Sequence, residues 1–222
     1  TEGESGYGIY NGSTGAINIK SGIIITSGAY GHGLCNNIGE IEMTGGTVTT
    51  SGQNACGVNN SNTGVISING GVINSNASVG ASNNGTGKII VGERMTTEEI
   101  EENETPSKVF PQITGATYGI TNFDGELCFY DGAITAPKEQ SINKYITDIE
   151  DGYGVKKNKN YDADGNETGT ETAILDAMNI LEIEGKTTYK TISELQEGIN
   201  SIEEGTINIL TDFYMCKDES II

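Results

Sequence analysis

The sequence predicts an all-β protein: a right-handed parallel β-helix of about five coils, followed by a small α+β region with one short helix. Three observations carry this. A glycine precedes a short strand at Gly8, Gly33, Gly57, Gly80 and Gly119, at intervals of 25, 24, 23 and 39 residues. An asparagine stands three residues after each: Asn11, Asn36, Asn60, Asn83 and Asn122. Between the glycines, apolar residues alternate with period two, the period of a strand.

Each repeat resolves into three strands. The first carries one apolar residue: Ile9, Leu34, Val58, Ala81 or Ile120. A second glycine follows (Gly15, Gly39, Gly64, Gly87, Gly125), then an alternating pair: Ile17/Ile19, Ile41/Met43, Ile66/Ile68, Ile89/Val91 and Leu127/Phe129. A third glycine (Gly22, Gly46, Gly71, Gly132) leads to Ile24, Val48, Ile73 and Ile134. The fourth repeat lacks that glycine, and the acidic insertion 93–110 begins there, which accounts for the interval of 39.

One repeat cannot fold alone. Its four or five inward side chains contribute roughly 1.5–3 kcal/mol each. Ordering two dozen residues costs about 1–2 kcal/mol per residue, several times more in total. Stacked repeats share strand hydrogen bonds and bury the same ranks against each other, the mark of a solenoid. Coils rising by ~4.8 Å give a rod of roughly 24 Å, and the crossover rule favours right-handed winding. Glycines then mark corners where a Cβ clashes or φ is positive. Counting by twos from Ile9 points Asn11 and its four equivalents inward, where stacked amides form a ladder. The alternative is five independent turn asparagines on the surface.

These Gly-hydrophobic-x-Asn corners resemble the parallel β-helix of the pectin-lyase-like superfamily over about 7–136. The stretch "YKTISELQEGINSIEEGTINILTDF" (189–213) looks like the first segment of repeat regions in large Gram-positive cell-surface proteins. The resemblance implies a short capping helix, then a strand, and an extracellular, bacterial cell-surface location. It also implies an adhesive rod without catalysis, binding a glycan or a host or matrix protein. A carbohydrate-binding or polysaccharide-degrading β-helix is the alternative. Lyases of the superfamily use aspartates to bind calcium and an Arg or Lys as base. Here no Asp precedes Asp124 and the one arginine, Arg94, lies in the insertion, so no catalytic residue carries over.

The sequence divides into repeats over 1–136 and a second region over 137–222, where the repeat register is lost. Thr191 and Glu194 have capping-box spacing, and Ile192, Leu195, Ile199 and Ile202 share one helical face, which would cover an apolar coil end. "TINIL" (206–210) reads as a strand, and "NILEIEGKTTYKT" as a hairpin turning at Gly185-Lys186. Thr1 and the apolar final residues suggest a piece of something longer.

Composition narrows the function classes. Gly is 32 of 222 residues, but Pro is only 3 and no three-residue period exists, so collagen is excluded. The net charge of −19 argues against nucleic acid and anionic membranes, which need basic patches. From Ser5 to Gly92 the only formal charges are Lys20, Glu40, Glu42 and Lys88; the acidity begins at "ERMTTEEIEENE" (93–104). No apolar run is long enough to cross a bilayer. Cys35, Cys56, Cys128 and Cys216 lack metal-site spacing and read as isolated thiols.

Few residues suggest chemistry. "NYDADGNETGTE" (160–171) places Asn160, Asp162, Asp164, Asn166, Thr168 and Glu171 at the ligand positions of an EF-hand loop, with Gly165 at the sixth; calcium is the one cofactor suggested. Against it, "GYGVKKNKN" makes a poor entering helix, and "DADG" between polar strands is also a hairpin turn. Glu40 and Glu42 lie on the outward face of one strand, a spacing open to glycoside hydrolysis but also that of a solvated face. His32, the only histidine, shares a rank with Tyr7, Cys56, Val79 and Tyr118 and reads as structural, since no partner completes a triad. The strip "TTEEIEENE" reads as a solvated loop or short helix, and outward Tyr10 and Tyr130 as possible sugar contacts.

Overall fold

The computed structural model describes residues 2–96, 98–99, 105–107, 110–150, 152–177, 181–183, 187–189 and 207–209. It is a parallel β-solenoid of about six turns. Each of the first five coils gives one strand to each of three sheets, and the sixth gives one to each of the first two. The first face stacks β1 (Ile9–Asn11), β4 (Leu34–Asn36), β7 (Val58–Asn60), β10 (Ala81–Asn83), β13 (Ile120–Asn122) and β16 (Ile142–Asn143). The second stacks β2 (Ala16–Ile19), β5 (Glu40–Met43), β8 (Val65–Ile68), β11 (Lys88–Val91), β14 (Glu126–Phe129) and β17 (Asp148–Ile149). The third stacks β3 (Ile23–Thr26), β6 (Thr47–Thr50), β9 (Val72–Ser75), β12 (Gln112–Gly115) and β15 (Ala133–Pro137).

The register is the one the glycine spacing predicts. Asn11 lies opposite Asn36, Asn36 opposite Asn60, Asn60 opposite Asn83, and Asn83 opposite Asn122. Equivalent aliphatic side chains therefore sit directly over one another. Leu34, Ile41, Met43, Val48, Val58, Ile66, Ile68 and Ile73 are sealed inside, as are Ile89, Ile113, Ile120, Leu127, Phe129 and Ile134. At ~1.5–3 kcal/mol apiece these ranks are the main force holding the stack. The corners need glycine for two reasons. Gly46 has φ +91°, and a Cβ there would also come within 2.8 Å of Gly22 O.

The insertion lies between β11 and β12, on the corner from second to third face. Because β12 still pairs with β9 before it and β15 after it, the excursion leaves the stack in register.

Two expectations change. The count is about six turns, not five, and the register continues past Ala136 into β16 and β17. The sixth turn was hidden because Ser141, Lys144 and Tyr145 stand where earlier coils have glycine, asparagine and glycine. Then the chain reverses. β18 (Tyr153–Tyr161) and β19 (Glu167–Ala177) form an antiparallel hairpin, and β19 adds antiparallel to β15. Val155, Ala173 and Leu175 complete the core there. Beyond it, β20 (Leu181–Ile183) pairs antiparallel with β21 (Thr187–Tyr189) and with β22 (Ile207–Ile209), as the predicted hairpin and strand require. The helix expected around Thr191–Ile202 lies outside the described residues, as does Cys216.

Candidate functional site

The polar groups that recur along the rod serve the rod. In every repeat the asparagine Nδ2 donates to its own second glycine: Asn11 to Gly15 O at 2.7 Å, Asn36 to Gly39 O at 2.8 Å and Asn60 to Gly64 O at 2.7 Å. Asn83 donates to Gly87 O at 2.9 Å and Asn122 to Gly125 O at 2.7 Å. The same nitrogens reach the next coil, from Asn11 to Glu40 O at 3.1 Å and from Asn83 to Glu126 O at 3.2 Å. Amide bonds to amide from Asn60 to Asn83 at 3.1 Å and from Asn83 to Asn122 at 3.0 Å. All five asparagines are buried.

A second polar rank escaped the sequence reading. Thr26, Thr50 and Ser75 close the third-face strands and are buried. Thr26 Oγ1 donates to Gly31 O, and Thr50 Oγ1 and Ser75 Oγ donate to Ala55 O at 2.7 and 3.0 Å. The signal was a hydroxyl at the last strand position of three successive repeats.

The outward first face carries the aromatic run. Tyr10 stacks on Tyr7 with ring centroids 5.5 Å apart, and Tyr7 on His32 at 5.7 Å with planes 4° apart. His32 Nδ1 accepts the Cys56 backbone N–H at 3.0 Å, so its other nitrogen carries the proton when neutral. Burial holds this imidazole below its usual pKa. The Cys56 thiol beside it is pushed up to about 11, mainly by burial, and is inert as a thiol. Next along the face, Cys35, Asn59, Ser82 and Thr121 are small, outward and buried. They bond among themselves and to a neighbour: Ser82 Oγ lies 2.8 Å from Thr121 Oγ1, Asn59 Nδ2 donates to Cys35 Sγ at 3.8 Å, and Asn84 Nδ2 donates to Asn59 Oδ1 at 2.7 Å.

The second face places Glu40 and Glu42 outward. Glu40 is exposed, while Glu42 accepts from Asn69 Nδ2 at 3.3 Å, which also donates to Glu93 at 3.1 Å. Lys88 pairs with Glu126 at 3.1 Å.

The insertion is tied down at its start. The Arg94 guanidinium lies 4.6 Å over the Tyr130 ring and donates to Asp148 Oδ2 at 2.7 Å. Tyr130 Oη donates to the same oxygen at 2.7 Å, and the Met95 N–H to Glu150 at 2.9 Å. Tyr130 is therefore buried and spoken for rather than a free sugar platform. Burial opposes charge on Asp148, but Tyr130 and Arg94 outweigh it and hold the carboxyl below its usual pKa. Thr96 and Glu99 bond reciprocally, Thr96 N–H to Glu99 Oε2 at 2.7 Å and Glu99 N–H to Thr96 Oγ1 at 3.3 Å, the capping box of a short helical turn. Beneath lies a cavity of about 300 Å³ lined by Glu93, Arg94, Thr96, Glu99, Ser107 and Asp131, among others. Burial pushes the Asp131 carboxyl up to about 6, against the opposing hydrogen bond from Gly132 N–H.

The 160–171 residues form a hairpin end. Asp162 Oδ1 accepts the N–H of Asp164 and of Asn166, both at 2.9 Å, and Gly165 takes φ +83°. Asn160 and Thr168 face each other across the strands, Thr168 Oγ1 donating to Asn160 O at 3.1 Å. Glu171 is elsewhere, buried, accepting the Ser141 hydroxyl at 2.5 Å with Lys157 Nζ at 3.6 Å. The turn thus gathers Asp162, Asp164 and Asn166 but not Glu171. Among the described residues, no cluster of three or more His, Cys, Asp or Glu is arranged to hold a metal ion.

The stacked parallel strands with a buried asparagine ladder define the class of this protein: a parallel β-solenoid. Comparison with protein-family models, curated proteins and solved structures finds no match.

Proposed function

We propose that the chain is a non-enzymatic structural and adhesive segment of a bacterial cell-surface protein, a rod that presents its outward faces to a glycan or a host or matrix protein. One observation carries this reading. Everything that recurs from coil to coil, the glycines, the asparagines and the aliphatic ranks, turns inward or sits at a corner. What varies faces out. A sequence patterned in this way specifies a scaffold first and leaves its surface to be chosen freely. The pectin-lyase-like corner pattern, the resemblance of 189–213 to Gram-positive surface repeats and the near-neutral first coils support the same reading.

The second reading, a carbohydrate-binding or polysaccharide-degrading β-helix, has the exposed Tyr10 and Tyr7, stacked in a run with the half-buried His32, in its favour, since aromatic faces stack on sugar rings. A glycan array, followed by product assays on any glycan bound, separates the two. Binding without turnover supports the adhesive rod, and turnover overturns it.

A further inference from the structure

The chain holds three Asn-Gly pairs: Asn11-Gly12, Asn69-Gly70 and Asn84-Gly85. Such a pair carries its own chemistry. Glycine has no Cβ to block approach, so its backbone nitrogen can reach the side-chain carbonyl of the asparagine before it. That nitrogen bonds to Cγ, its proton passes to water, and Nδ2 leaves as ammonia. Water then opens the cyclic imide at either carbonyl and leaves aspartate or isoaspartate. The fold treats the three pairs differently.

Asn11 is buried, and its Nδ2 donates to Gly15 O and Glu40 O. Its Oδ1 accepts the Ser13 N–H at 3.3 Å. Ring closure there would break these bonds inside the rod. At Asn69 the glycine is the restrained partner. The Gly70 N–H donates to Met43 O at 3.1 Å, and Gly70 is buried against the backbone of Thr44. The attacking nitrogen is occupied. Asn84-Gly85 has neither restraint. Asn84 is exposed, at the corner between β10 and β11. The Asn84 N–H donates to Asn60 O at 2.8 Å, but the Gly85 N–H has no hydrogen-bond partner among the described residues. Asn84 Oδ1 accepts the Ser82 hydroxyl at 2.9 Å. That uses the one proton of Ser82, so Thr121 is the donor in their 2.8 Å bond. This relay aims a donor at the oxygen that gains negative charge when the Gly85 nitrogen attacks. The leaving Nδ2 donates to Asn59 Oδ1 at 2.7 Å, at the surface, where ammonia departs into water.

We propose that Asn84-Gly85 is a self-modification site, where the folded chain converts asparagine to aspartate or isoaspartate while Asn11 and Asn69 stay intact. Its position gives the change a consequence. The first-face strands β1, β4, β7 and β10 carry no Asp, Glu, Lys or Arg. The product sets a carboxylate at the edge of that neutral face. It also takes from Asn59 Oδ1 the donor it had and leaves an acceptor in its place. Isoaspartate further lengthens the main chain by a methylene between β10 and β11. An ageing rod thus gains charge on a face it begins without. The inference rests on the corner geometry alone, so it stands or falls separately from glycan binding.

The test incubates the folded full chain at mildly alkaline pH beside the same chain unfolded in urea. Peptide mass mapping with fragmentation follows each Asn-Gly pair, and an isoaspartate-specific methyltransferase labels the isomerised product. In urea all three pairs convert at similar rates. In the folded chain Asn84 converts at least about tenfold faster than Asn11 or Asn69, whose reaction waits for local opening. Asn84→Gln keeps an amide at the corner and abolishes the label on that peptide, because the longer side chain closes its ring slowly. Asn84 protected by folding as strongly as the other two, or Asn11 or Asn69 converting first, overturns the proposal. So does a label that persists on the same peptide in Asn84→Gln.

Discussion

The two ends of the solenoid solve the same problem in opposite ways. A parallel stack must leave backbone donors and acceptors and a cross-section of apolar core at each end. At the far end the chain reverses: β19 adds antiparallel to β15, β18 covers β19, and Val155, Ala173 and Leu175 fill the core. The outermost strand then carries Lys156, Lys157 and Lys159, paired with Asp176, Glu171 and Glu167 at 2.8, 3.6 and 2.7 Å. Lysines along an edge strand discourage further pairing. At the near end no such devices appear among the described residues of coil 1. Its strands keep the phase of those below, Lys20 is its one charge between Ser5 and Thr26, and Ile23 is 76% exposed. At the far end strand direction and charge change together.

The largest effects come from the core. Leu127→Ala removes a fully buried side chain stacked on the sealed Ile89 and costs about 4 kcal/mol. Ile17→Ala, the same rank in the first coil, costs about 1–2 kcal/mol, because that side chain is only partly buried. Urea unfolding of both variants measures the gap, and equal losses would break the distinction between the ends. The asparagine ladder gives the next largest. Asn83→Ala deletes bonds to Gly87 O, Glu126 O and Asn122 Oδ1 and leaves carbonyls orphaned in the core, for about 3 kcal/mol. Asn11→Ala lacks an amide above it and costs about 1 kcal/mol.

The near end was readable from residue order because its information is translational: a glycine, an asparagine and an aliphatic return at one spacing, and stacking converts spacing into register. The calcium-loop residues show the limit. Spacing placed Asp162, Asp164 and Glu171 at ligand positions, but a strand rises by ~3.3 Å per residue, so Glu171 is carried along β19 to the coil stack. Tertiary partners, Ser141 and Lys157, fix where it points, and Ser141 hides in sequence because it replaces the glycine of its rank. The alternation puts Tyr130 outward, and it is, but Arg94 reaches it from 36 positions away across an insertion that carries no repeat.

Acid distinguishes the closed end from the insertion. At Glu171 burial raises the pKa, but the Ser141 bonds and Lys157 outweigh it, so the folded value lies below the unfolded one. Its contribution is full above the unfolded carboxylate range and is lost as pH falls through the folded value. Glu171→Gln therefore lowers Tm at neutral pH and lessens the acid-induced loss. Asp131 has the opposite sign. With its folded pKa pushed up to about 6, it stabilises the protonated fold below the unfolded value, and that support disappears as pH rises through about 6. Asp131→Asn raises Tm at pH 7 and above and changes little near pH 4. Thermal melts across that range check both, and parallel responses of the two variants would show that the local environments do not control them.

The smallest expected effect concerns the hairpin tip that closes the far end. The Asp162 carboxylate accepts backbone N–H groups from Asp164 and Asn166, and burial plays almost no part, so these bonds hold its pKa below the usual range. The Gly165 N–H donates to Asp162 O at 3.1 Å, and Asp162 N–H to Asn166 O at 2.9 Å, so backbone bonds close the turn. For calcium to gather Asp162, Asp164, Asn166, Thr168 and Glu171, Glu171 would have to leave Ser141 and Lys157 and uncover the last coils. That exchange opposes binding, because a buried, bonded carboxylate costs more to free than an exposed one. Millimolar calcium should therefore leave Tm unchanged and give no saturable heat in calorimetry. A saturable heat that disappears in Asp164→Ala, with Glu171 amide protection lost on binding, would show that the far end opens for a ligand and is not fixed shut.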